Sequence, residues 1–174
     1  KISIELDCEI KKFWVEIDQP IETHNDSKTT WVIRNGERIY DGFYANWGET
    51  LQIHAESSVM TDYLGDTPNI LYDLSYISVI NEDTHTKVNY NSGAMITAKS
   101  NISVNPIYKI HNCNIRIIKN DKAVISAKVD QINYTDIDFT VPYGTNVSFT
   151  VKVKDTENYY FNNLTINGKS IIQN

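Results

Sequence analysis

Trp31-Val32-Ile33-Arg34-Asn35-Gly36-Glu37-Arg38-Ile39-Tyr40 decides the class of the fold. Two short β-branched and aromatic runs flank Asn-Gly, the pair that most readily takes the two positive φ angles of a type I′ hairpin turn. A two-residue loop sets the register. It places Arg34 opposite Glu37, Val32 opposite Ile39 and Trp31 opposite Tyr40, each a favourable cross-strand pair worth about 0.2–1 kcal/mol. Asn167-Gly168 predicts a second hairpin, with Ile166 opposite Lys169 and Leu164 opposite Ile171. Ser92-Gly93 is a weaker third turn of the same kind.

Outward from this hairpin the period remains two, and helical spacing is nearly absent. Thr50–Ala55, Ser100–Val104, Asn114–Ile117, Asn146–Val153 and Leu164–Ile166 each alternate an apolar with a polar face. That is the pattern of a sheet with one side on a core. Met95–Ala98 and Thr86–Tyr90 extend the series. Composition agrees, since 19 Asn and 11 Tyr accompany many Ile, Val and Thr, a vocabulary of strands and turns. The expected class is all-β.

The chain has 174 residues and is 41% hydrophobic, enough to pack a core and too apolar for disorder. Its formal charge of −6 argues against nucleic-acid binding, which needs clustered Lys and Arg to displace counterions. No apolar run reaches the roughly 18 residues of a membrane span. The chain opens at Lys1 and enters an alternating stretch at once, as a processed product or excised fragment would.

Internal similarity divides the chain. Asp7-Cys8-Glu9-Ile10-Lys11 is echoed by Asn112-Cys113-Asn114-Ile115-Arg116, an offset of 105 residues. Asn46-Trp47-Gly48-Glu49-Thr50 is echoed by Pro142-Tyr143-Gly144-Thr145-Asn146, and Tyr72–Val79 by Tyr160–Ile166. The expectation is two small related β-sandwich or β-grasp-like modules in tandem, residues 1–110 and 111–174. An inserted loop at 57–69 marks the first. The second lacks closing strands, so further chain or a neighbouring subunit would have to cover its edge. Residues 1–112 hold 9 basic and 16 acidic side chains, net −7, and residues 113–174 hold 7 and 6, net +1.

Phe139-Thr-Val-Pro-Tyr-Gly-Thr-Asn-Val-Ser-Phe-Thr-Val151, followed by Tyr159-Tyr160-Phe161 and Leu164-Thr-Ile-Asn-Gly168, resembles an internalin B-type repeat. The first module is similar through Trp47-Gly48-Glu49-Thr50 and Met95–Val104. Two departures stand out: Asn158 occupies a position where the family has Gly, and the hairpin Trp is missing. Comparable immunoglobulin-like modules occur in bacterial surface proteins and phage virions. The resemblance implies a structural or adhesive module, with no active site to carry over.

The residues themselves indicate no catalytic centre, cofactor or metal. Cys8 and Cys113 head equivalent strands, and equivalent positions in tandem modules lie beyond the roughly 7 Å a disulfide allows, so both are expected as free, buried thiols. His24, His54, His85 and His111 lack metal-ligand spacing and read as solvated side chains. The carboxylates at Asp62, Asp66, Glu82, Asp83, Asp136 and Asp138 form no EF-hand loop. No nucleophile elbow or phosphate loop appears. Five Asn-x-Ser/Thr sequons begin at Asn25, Asn101, Asn133, Asn146 and Asn163, near the about three that this composition yields by chance.

The binding candidates are aromatic. Trp31, Tyr40, Phe43, Tyr44 and Trp47 fall close together, and they either cap the core or form an outward platform for a sugar ring or a partner's apolar patch. Met60, Tyr63 and Leu64 would be apolar anchors on the inserted loop, if that loop carries contacts at all. Two functions follow. The first is a non-enzymatic exterior module, on a phage virion or a bacterial surface, contacting other capsid, tail or surface-assembly subunits. The alternative is a carbohydrate-binding module for a cell-surface glycan.

Overall fold

The computed structural model describes residues 8–20, 27–61, 70–118, 120–134 and 138–170. The chain is all-β, without a helix among the described residues, and none there is long and apolar enough to cross a membrane. It divides into two compact units, Lys1–His111 and Asn112–Asn174.

The first unit contains β1 (Lys12–Ile17), β2 (Thr30–Arg34), β3 (Glu37–Ile39), β4 (Phe43–Asn46), β5 (Thr50–Ala55), β6 (Ser58–Met60), β7 (Leu71–Asn81), β8 (Lys87–Tyr90), β9 (Met95–Thr97) and β10 (Ile102–Ile110). One sheet runs β4-β1-β10-β7-β6, with β8 also on β7; the other runs β3-β2-β5-β9. Strand β7 is long enough for β6 to pair with Leu71–Asp73 and β8 with Ile77–Ile80. A bulge at Ser75 interrupts its ladder with β10. Among the described strands only β1 and β10 pair in parallel, Val15 beside Ile102.

Alternation fixes what each strand buries. In β1, Phe13, Val15 and Ile17 face inward while Lys12, Trp14 and Glu16 are exposed. Val15, Val32, Ala45, Leu51, Ile53, Ile77, Ala98 and Val104 are fully buried and form one core with contributions from both sheets. The first unit is therefore a sandwich. Gln19 bridges the end of β1 to the head of β2. Its Oε1 accepts from the amides of Thr29 and Thr30 at 2.8 and 3.0 Å, and its Nε2 donates to the carbonyls of Thr30 and Tyr40 at 2.8 and 3.3 Å. The side chain thus does the pairing of an extra strand residue.

The second unit contains β11 (Asn112–Arg116), β12 (Ala123–Val129), β13 (Ile132–Tyr134), β14 (Asp138–Pro142), β15 (Val147–Val153), β16 (Thr165–Ile166) and β17 (Lys169–Ser170). Its sheets are β11-β14, β13-β12-β15 and β16-β17. Only Ala127, Val129 and Val141 are buried among its described hydrophobic residues. Tyr134 stacks on Phe139 at 4.6 Å between ring centres.

The five strands β11–β15 repeat the pairing of β1–β5 in order. In both, the first strand pairs antiparallel with the fourth, the second with the third, and the second with the fifth. The turns before β5 and β15 match closely. Gly48 and Gly144 take φ of 80° and 86°, and Glu49 and Thr145 donate back to Asn46 and Pro142 at 3.0 and 3.2 Å, the geometry of a type II turn.

The strand pairings correct three expectations. Ala45 lies opposite Phe13 and Val141 opposite Cys113, so Cys113 corresponds to Phe13, an offset of 100 residues rather than 105. Cys8 lies outside any strand. Ser92-Gly93 joins β8 and β9, which belong to different sheets, so it turns between layers rather than forming a hairpin. Residues 160–164 are not strand, and among the described strands β16 pairs only with β17, so the likeness to Tyr72–Val79 does not extend to structure. The hairpin registers at Asn35-Gly36 and Asn167-Gly168 are as expected for Arg34 with Glu37, Val32 with Ile39 and Ile166 with Lys169. Ile171 lies outside the described residues.

A candidate contact face on the first unit

Trp31 does not offer a platform. It points away from the core, since Val32 beside it is fully buried in the sandwich, yet it is only 8% exposed. His54, directly opposite on β5, stacks parallel to it at 5.4 Å. Arg38 from β3 lies over the same ring at 4.8 Å, and Tyr40 is tilted against it at 6.2 Å. Imidazole, guanidinium and phenol together cover the indole. His54 is thus not the solvated side chain that alternation suggested. Its Nε2 is buried without a partner, and burial first, then the Arg38 charge, push its pKa below the usual imidazole value.

The open aromatic face is on the other sheet. Trp14 and Tyr44 are cross-strand partners on β1 and β4, edge to face at 5.1 Å. Tyr44 is 61% exposed and Trp47 60%. Trp14 is held at three points, two of them on the indole. Its Nε1 donates to Glu16 at 2.5 Å, its backbone amide donates to Asn101 Oδ1 at 2.8 Å, and its six-membered ring lies over Gly42. A Cβ at Gly42 would meet Trp14 Cζ2 at 2.3 Å, far inside van der Waals contact. Gly42→Ala is therefore expected to swing the indole off β4, at a cost of about 1 kcal/mol because the ring can move into solvent. The shift would appear as a red-shifted tryptophan emission, and an unchanged spectrum would count against the placement.

Acidic groups continue this face. Glu16 and Asp18 follow Trp14 at every second position, outward and exposed. Glu82 reaches the same row by accepting from Ser103 Oγ at 2.6 Å, and Ser103 lies beside Glu16 across the β1–β10 pair. The Asp18 carboxyl is held above the usual range by burial first, then by the charges of Glu16 and Glu82.

Other sequence candidates are placed elsewhere. Met60 is exposed at the end of β6. The expected inserted loop therefore begins as a strand, since Ser58–Met60 pairs with β7; Tyr63 and Leu64 lie outside the described residues. Cys8 is exposed and Cys113 half-buried, both free, so the expectation of buried thiols fails. His111 meets Asp73 at 2.6 Å rather than standing in solvent. Among the described residues no group of three or more His, Cys, Asp or Glu is placed to hold a metal. Trp14 was not among the sequence candidates. The alternation of Lys12-Phe13-Trp14-Val15-Glu16 already set it beside two charged residues, and hence outward.

No family model, curated protein or solved structure matches this chain.

Proposed function

We propose that the chain is a non-catalytic structural or adhesive module of a virion or bacterial surface, and that it binds a protein partner through the Trp14–Tyr44 face. The observation that carries this reading is a large aromatic pair left open to solvent but fixed in place, by Gly42 beneath the indole and Glu16 on its nitrogen. Exposed aromatic area with few free rotamers is what interface anchors share. The resemblance to internalin B-type repeats supports the same class of role. The two rings stand at 65° to one another, a knob suited to a shaped protein pocket rather than a flat stacking surface for a sugar.

The test is a photo-crosslinking residue introduced at Tyr44, in the cells or particles that carry the protein. A discrete protein adduct, absent when the same residue replaces exposed Val88 or Ile132, is the expected result. Glycan-array binding abolished by Tyr44→Ala, with no protein adduct, would replace this reading with the carbohydrate-binding one.

A further inference from the structure

We infer that the partner of this face is an extended basic segment, bearing Lys or Arg at alternate positions, which lies along β1 over Tyr44, Trp14, Glu16 and Asp18. The inference rests on the contact-face reading above and specifies its chemistry.

Geometry supplies the first argument. Trp14 and Glu16 point outward at alternate positions of the edge-proximal strand β1, and Asp18, exposed just past its end, continues the row. Such positions recur about every 6.6 Å, the same spacing that separates side chains i and i+2 of an extended partner. One cation can stack on the exposed Tyr44 ring while the next meets Glu16. The indole nitrogen donates to one oxygen of the exposed Glu16, which orients the carboxylate.

Charge supplies the second argument. Glu16, Asp18 and Glu82 have no Lys or Arg within salt-bridge distance among the described residues, whereas Arg34 neutralises Glu49 and Lys28 neutralises Asp41 on the same unit. Among the described residues no cation offsets the mutual repulsion of the three carboxylates, and after burial the charges of Glu16 and Glu82 help to raise the Asp18 pKa. Two lysines border the row. Lys12 precedes Trp14 by two residues at the aromatic end, and Lys87 lies to the side, two strands from Ser103 and paired with Ile80 on β7. Residues 1–112 carry −7 overall, so a basic segment is also steered toward this unit at long range.

The experiment titrates the full chain with a synthetic peptide of alternating Lys and Thr, followed by calorimetry. Expected is saturable binding that weakens with salt. Glu16→Gln and Asp18→Asn should each weaken it by about tenfold, the loss of one charge-assisted contact. Glu37→Gln, which removes the same charge from the exposed β2–β3 hairpin, should leave it nearly unchanged. The proposal is overturned if the peptide does not bind, if a Glu-Thr peptide binds as well, or if Glu37→Gln weakens binding as much as Glu16→Gln. A dimer of the chain that dissociates on Tyr44→Ala would also overturn it, by giving the face to a second copy. Failure here with a protein adduct still formed at Tyr44 removes only the basic partner; failure of both removes the contact face.

Discussion

Ile53→Ala lowers the stability of the first unit by about 4 kcal/mol, as expected for an isoleucine truncated where the surroundings cannot collapse. Ile53 is fully buried on β5, opposite Val32 on β2, and packs in the core shared with Leu51, Ile77 and Val104. Its backbone is fixed as well, the amide donating to Ala94 at 2.9 Å and the carbonyl accepting from Gly93 at 2.8 Å. The cavity would therefore persist. The same position in the second unit is Phe149, which pairs with Ala127 as Ile53 pairs with Val32, and it is only half-buried. Phe149→Ala is expected to cost less than Ile53→Ala although more atoms are removed. Urea denaturation of both variants measures the difference, and the reverse order would mean that the second unit packs more tightly than its exposure indicates.

Arg34→Ala is expected to cost about 1–2 kcal/mol at neutral pH, because it leaves a half-buried carboxylate without its bidentate partner. The Arg34 guanidinium grips Glu49 with both arms, at 2.5 and 2.9 Å, and stacks over Phe43 at 5.3 Å. Glu49 also accepts from the Asn46 amide at 2.9 Å, so the pair fastens the β4–β5 turn to the end of β2. The hydrogen bond from Arg34 is the main cause that holds the Glu49 pKa below its usual 4.5. A carboxylate with a depressed folded pKa stabilises fully above its unfolded value and loses that contribution as pH falls through the folded one. The wild-type advantage over Arg34→Ala should therefore hold above pH 4.5 and shrink in more acid solution. Equal stability of the two proteins at pH 7 would sink the argument. The second unit has Val129 and Thr145 at the corresponding positions, so its turn lacks this ion pair.

Local turn chemistry was legible in the sequence because it is decided by one or two residues. Asn35-Gly36 and Asn167-Gly168 adopt the positive φ their side chains permit, and the registers follow from loop length. Trp47-Gly48 and Tyr143-Gly144 likewise matched as turns. Long-range pairing was less legible. Period two says which face a residue takes but not which strand lies beside it. Aligning the two cysteines by identity thus put the repeat out by five residues, whereas the pairing partners Ala45 and Val141 place it correctly. The same gap explains Trp31 and Trp14. Both point outward by alternation, but only the neighbouring strands reveal that Arg38 and His54 cover the first while Gly42 lets the second lie flat at the surface.

The parallel pairing of β1 with β10 has a consequence for the order of events during synthesis. Trp14 binds Asn101 across 87 residues of chain, so β1 remains unsatisfied on one edge until nearly the whole unit has left the ribosome. Local hairpins such as β2–β3 form early, whereas closure of the sheet carries the full loop entropy of the long connection. Until β10 arrives, β1 and β7 each present an open apolar strand edge, the hazard that leads to intermolecular pairing. The step that completes the sandwich is therefore also the one that sets its folding time and ends its exposure to aggregation.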